Sequence, residues 1–210
     1  MRTILSLLPI ILNFASTVEA KDLAFRPSVT SNQELTYSEG RSTLVDRGQK
    51  TSAGVQDMNH PILDRSSFLF LAQNENSRTS SYNFGPGNIT ATINGRPVSI
   101  LPLDELLRII RSRYTSADIL RGLGDMGDKL NGDTFGRMRN ESDRQSRQSE
   151  AVQQIEALNQ MYLKTETIRP GENTKGLVVI YKIQDAKPGD EIIFDVETGG
   201  DHHMFRFAIR

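Results

Sequence analysis

A mainly β fold, an antiparallel sandwich interrupted by a helical block, is predicted from three features of the chain. Short apolar or alternating segments recur near both ends, at 68–101 and again after 162. They are separated by turn dipeptides: Asn94-Gly95, Pro170-Gly171, Pro188-Gly189 and Gly199-Gly200. Between the two groups the hydrophobic period changes from two to three and four.

In chain order, residues 21–60 are rich in Ser, Thr, Gly, Asn and Gln. They read as an extended arm with one or two edge strands, the candidates being Leu35–Tyr37 and Ser42–Val45. Phe68 to Ala72 is a continuous apolar run closed by a polar turn, the pattern of a core strand. Tyr82-Asn83-Phe84 leads into the Gly85-Pro86-Gly87-Asn88 bend, and Ile89 to Ile93 alternates apolar and polar positions. Asn94-Gly95 then predicts a tight type I′ hairpin, with Val98 to Leu101 as the returning strand.

Leu103, Leu106, Leu107, Ile110 and Tyr114 trace one face of a helix opening near Asp104, whose carboxylate would cap the first turn. Thr115-Ser116-Ala117-Asp118 resembles a capping box for a shorter helix. Five glycines in the fifteen residues from Gly122 to Gly136 predict a loop. Helix-compatible sequence resumes from Arg137 to Gln160, with an apolar stripe only in its second half: Ala151, Val152, Ile155 and Leu158. Strands return at 162–168, 176–181, 192–197 and 204–209. Three or four strands before the helices cannot cover both of their faces, so residues 61–210 are expected to form one domain, with the insertion at 103–160.

Residues 1–20 have the layout of a secretory signal: Arg2, an apolar run from Ile4 to Phe14, and Val18-Glu19-Ala20 before an expected cleavage. That run is shorter than a bilayer-spanning helix, so the expected product is periplasmic or secreted. Twenty-five Lys and Arg stand against twenty-six Asp and Glu, a net charge of −1 that gives no field for gathering nucleic acid or an anionic membrane. With no cysteine in 210 residues, disulfides, thiolate metal sites and thiol redox chemistry are excluded.

Phe68 to Ile100 resembles exported bacterial domains of the immunoglobulin-like class: an apolar strand ending in a polar turn, Phe84-Gly85-Pro86, Asn88-Ile89-Thr90-Ala91 and the Asn-Gly hairpin. Thr167 to Gly171 followed by Gly176-Leu177-Val178-Val179 looks like the later strand pair of that class. The resemblance implies a fold and carries no catalytic residue.

Candidate chemistry is sparse. Gly122-Leu123-Gly124-Asp125-Met126-Gly127 spells a dinucleotide fingerprint, but a predicted helix precedes it where a strand is required, so no cofactor is expected. Asp125, Asp128, Asn131 and Asp133 offer oxygen ligands without EF-hand spacing. His60, His202 and His203 are the candidate metal ligands. Adjacent strand residues face opposite ways, so the preferred reading places these histidines in turns or on the surface. Asp195, between Phe194 and Val196, is expected on the wet face of its strand. Sequence signatures for a Ser or Cys nucleophile are missing. The expected function is non-enzymatic binding to another exported or envelope protein through the arm and the polar helix at 137–148. The alternatives are a metal-dependent hydrolase using His202 and His203, and a carbohydrate-binding module in which Tyr82 or Tyr181 stacks on a sugar.

Overall fold

The computed structural model describes residues 24–38, 40–58, 66–75, 80–112, 152–153, 155–181, 183 and 186–210. The strands are β1 (Phe25–Ser28), β2 (Gln33–Ser38), β3 (Arg41–Arg47), β4 (Thr51–Asp57), β5 (Ser67–Asn74), β6 (Tyr82–Phe84), β7 (Ile89–Ile93), β8 (Arg96–Val98), β9 (Glu166–Ile168), β10 (Asn173–Val179), β11 (Glu191–Thr198) and β12 (Asp201–Ile209). They form two five-stranded sheets, ordered β1-β12-β11-β7-β8 and β10-β5-β4-β3-β2, and a small β6-β9 pair. Every strand pairing within the three sheets is antiparallel.

The sheets enclose one interior because both supply an alternating apolar face. β5 turns Phe68, Phe70 and Ala72 inward, and β11 and β12 answer with Ile192, Phe194, Val196, Phe205, Phe207 and Ile209. Phe68 and Phe194 meet edge-on across the gap at 4.6 Å between ring centroids, and Phe70 and Phe194 at 5.3 Å. Front and back thirds of the chain thus share an interior. At the predicted hairpin Asn94 and Gly95 take φ of 49° and 76°, as a type I′ turn demands.

β10 is buried on both faces, which explains its continuous apolar run. Val178 faces the sandwich interior, while Leu177 and Val179 join a second cluster with Leu101, Leu106, Ile110, Leu158 and Tyr162. The last five lie on or beside helices at 103–112 and 155–161, so these helices dock on the outer face of β10. The Tyr162 hydroxyl donates to the Leu101 carbonyl at 2.7 Å, and that of Tyr181 bonds Glu105. Gly176 permits a close crossing: a Cβ there would lie 2.4 Å from the Leu163 Cα. Leu163 then bonds the Leu177 carbonyl through its amide and covers the edge of β10.

Two expectations need correction. The segment read as an arm with one or two edge strands holds four strands, and β4 is the middle strand of its sheet. Its inward residues Thr51, Ala53 and Val55 are too small to register as a hydrophobic run, yet they are almost fully buried. Asp104 lies inside the first helical turn, because the helix begins at 103. The capping box at 115–118, the glycine loop with Asp125, Asp128, Asn131 and Asp133, and the polar segment 137–148 fall outside the described residues.

Candidate functional site

At one end of the sandwich the apolar interior gives way to polar side chains, because each inward row ends in one. Phe207, Phe205 and His203 share a face of β12; Phe194, Val196 and Thr198 share a face of β11. Leu44 and Asp46 lie on one face of β3, and Thr51 begins the inward row of β4. Two-residue periodicity turns each of these groups inward, and the register of the strands brings them to the same end.

His203 is fully buried. Its Nδ1 lies 2.9 Å from Asp46 Oδ2, and its Nε2 lies 2.9 Å from Thr198 Oγ1 and 3.2 Å from Thr51 Oγ1. The two threonine hydroxyls are 2.6 Å apart. Asp201 Oδ2 closes the network, accepting from the amides of Lys50 at 2.7 Å and Thr51 at 3.0 Å and from Thr51 Oγ1 at 3.1 Å. One chain of contacts thus runs from His203 Nε2 through Thr198 and Thr51 to Asp201 Oδ2. Gly48 lets the β3-β4 turn close over this chain: a Cβ there would lie 2.5 Å from Asp201 Oδ2 and 3.0 Å from His203 Cε1.

Asp201 is held below the ordinary carboxylate range: burial opposes its charge, but the Lys50 and Thr51 amides, the Thr51 hydroxyl and nearby His203 outweigh burial. Beside it the Tyr82 phenol is pushed up to about 12, first by burial and then by the Asp201 charge. The Tyr82 hydroxyl is itself buried, with no hydrogen-bond partner among the described residues.

Asp46, His203 and Thr198 follow the order of an acid–imidazole–hydroxyl relay. Neither Thr198 nor His203 has exposed surface, so in this conformation no substrate carbonyl reaches the hydroxyl. The network instead joins β3 and β4 of one sheet to β11 and β12 of the other through satisfied hydrogen bonds.

His203 therefore departs from the expected turn or surface position. His202 does lie on the outer face, 3.1 Å from Asp195 Oδ1, and Asp195 is on the wet side as its alternation predicted. The two adjacent imidazoles point to opposite sides of the sheet, and His60 falls outside the described residues. Among the described residues no three His, Cys, Asp or Glu side chains are grouped to hold a metal ion. Asp46, Thr51 and Thr198 are not among the sequence candidates, although Leu44-x-Asp46 and His203-x-Phe205-x-Phe207 carry the signal: a polar residue continuing an inward apolar row.

Next to this network opens a cavity of about 530 Å³, bordered by Lys50, Tyr82, Asn83, Asn88, Glu197 and the Gly199-Gly200 turn. No family model, curated protein or solved structure matches the chain. The geometry defines a two-sheet β protein with a sealed polar clasp at one end and an open polar cavity beside it.

Proposed function

We propose that this chain is an exported, non-enzymatic binding module of the immunoglobulin-like class, acting on another envelope or secreted protein by strand addition. Export is supported by Arg2, the Ile4–Phe14 run and Ala20, and the fold class by two facing antiparallel sheets closed by strands distant in sequence. Among the described residues no helix is long and apolar enough to cross a membrane.

The observation that carries the binding mode is an asymmetry among the four edges of the two five-stranded sheets. β1 contains Pro27 and β8 contains Pro97, each lacking an amide to offer a new strand. β10 is covered by the Tyr162–Leu163 crossing and by the Ile100–Ile180 bridge. β2 ends its sheet with no proline and no neighbouring strand on its far side among the described residues, and Tyr37 on it is 75% exposed. Main-chain hydrogen bonds along β2 would supply affinity, and side chains such as Leu35 and Tyr37 would supply selectivity.

A photo-crosslinking residue at Tyr37, with a control at Thr92 on the outer face of the other sheet, tests this in the exported fraction of the native host. A discrete adduct at position 37, missing at 92 and abolished by Leu35→Pro, which removes an amide on the side of β2 away from β3, in a chain that still melts cooperatively, is the expected result. Equal labelling at both positions, or an adduct that survives Leu35→Pro, overturns it.

A further inference from the structure

The cavity beside the clasp has the chemistry of a ligand site of its own. Its lining carries one cation and one anion, the Lys50 ammonium and the Glu197 carboxylate, while the Asp201 carboxylate beside it is engaged by the Lys50 and Thr51 amides. Its amides are oriented in advance. Asn83 Oδ1 accepts from the Thr167 hydroxyl at 2.8 Å, and Asn88 Oδ1 accepts from the Gly85 amide at 3.0 Å, so both Nδ2 groups remain as donors at fixed positions. Tyr82 adds an aromatic ring to the wall, and its hydroxyl lies buried without a partner among the described residues.

The floor is rigid as well. Thr51 lines the cavity and is clasped by Thr198, Asp201 and His203, while the Gly199 backbone passes close to the Tyr82 ring, a Cβ there lying 3.1 Å from its Cδ1. Held donors, a carboxylate acceptor and an aromatic wall in a recess of mixed charge form the complement of vicinal hydroxyl groups on a compact ring. We propose that this cavity binds a neutral polyhydroxylated ligand of the saccharide class. Glu197 accepts from a pair of ring hydroxyls, Asn83 and Asn88 donate to hydroxyl or ring oxygens, and Tyr82 covers an apolar sugar face. This site is separate from the β2 edge and does not depend on strand addition.

Amide NMR of the chain, titrated with maltose and with N,N′-diacetylchitobiose, tests the assignment; inorganic phosphate and spermidine serve as the anionic and cationic comparisons. Saturable shifts with at least one of the two sugars, confined to residues 50–51, 82–88 and 197–200, are expected. Glu197→Ala should weaken that binding about tenfold or more, the scale of losing a charged hydrogen-bond acceptor, and Glu197→Gln should weaken it less. Both substitutions are at an exposed residue, and an unchanged spectrum elsewhere reports an intact fold. No saturable shift with either sugar overturns the proposal. So does saturation by phosphate or spermidine at these residues in place of the sugars.

Discussion

His202 and His203 are neighbours in the chain, yet the pleat of β12 sends the first to the outer face of its sheet and the second into the sealed end of the sandwich. The side chain of His202 is 61% exposed and pairs with one carboxylate that is itself 37% exposed; that of His203 has no exposed surface and touches Asp46, Thr198 and Thr51. The same imidazole is therefore a weak surface partner in one place and a tie between two sheets in the other. What differs is the number of groups left unsatisfied when it is removed.

The largest separation between the faces comes from deletion. His203→Ala empties a fully buried ring site and removes the partner of Asp46, and should cost about 2–5 kcal/mol in urea unfolding, enough to threaten folding. A loss no greater than that of His202→Ala would show that the clasp does not hold the sheets together. Gly48→Ala, which drives a methyl group into Asp201 and His203, comes next at about 1–3 kcal/mol. A neutral outcome would mean that the β3-β4 turn shifts freely.

Acid should act through Asp201. Its folded pKa lies below the ordinary 3.8, so its stabilisation is present above that value and fades as the pH falls through the folded pKa. Asp201→Asn should flatten the stability–pH curve in that acid window, as read from melting temperature against pH.

The smallest effect belongs to the outer face. His202 has its pKa raised above 6.5 by its hydrogen bond to Asp195, by that carboxylate's charge and by Glu197. Its contribution is fully present below 6.5 and is lost as the pH rises through the folded value. The pair is exposed and screened by salt, so Asp195→Asn should return the His202 titration seen by NMR toward 6.5 while leaving the melting temperature nearly unchanged.

The fold was legible where local chemistry and tertiary context agree. Phe68–Ala72, the Asn94-Gly95 hairpin and the glycine turns announced their strands because apolar content and turn dihedrals are local properties. β4 was not legible: Thr51, Ser52, Ala53 and Gly54 have no apolar run, and their burial comes from the neighbours that cover them. The clasp was half legible. The period of β12 places His203 beside Phe205 and Phe207, but no local pattern shows that Asp46 and Thr51, some 150 residues away, end at the same place.

By itself the sequence determined the alternation of faces, the turns and the lack of thiol chemistry, since each depends on residue type and on spacing of a few positions. Only the tertiary structure decided which inward polar groups meet, which sheet edge has no further strand beside it among the described residues and which recess forms beside the clasp. Those outcomes depend on how strands distant in the chain align across an interior, and pairing energies spread over many residues set that register.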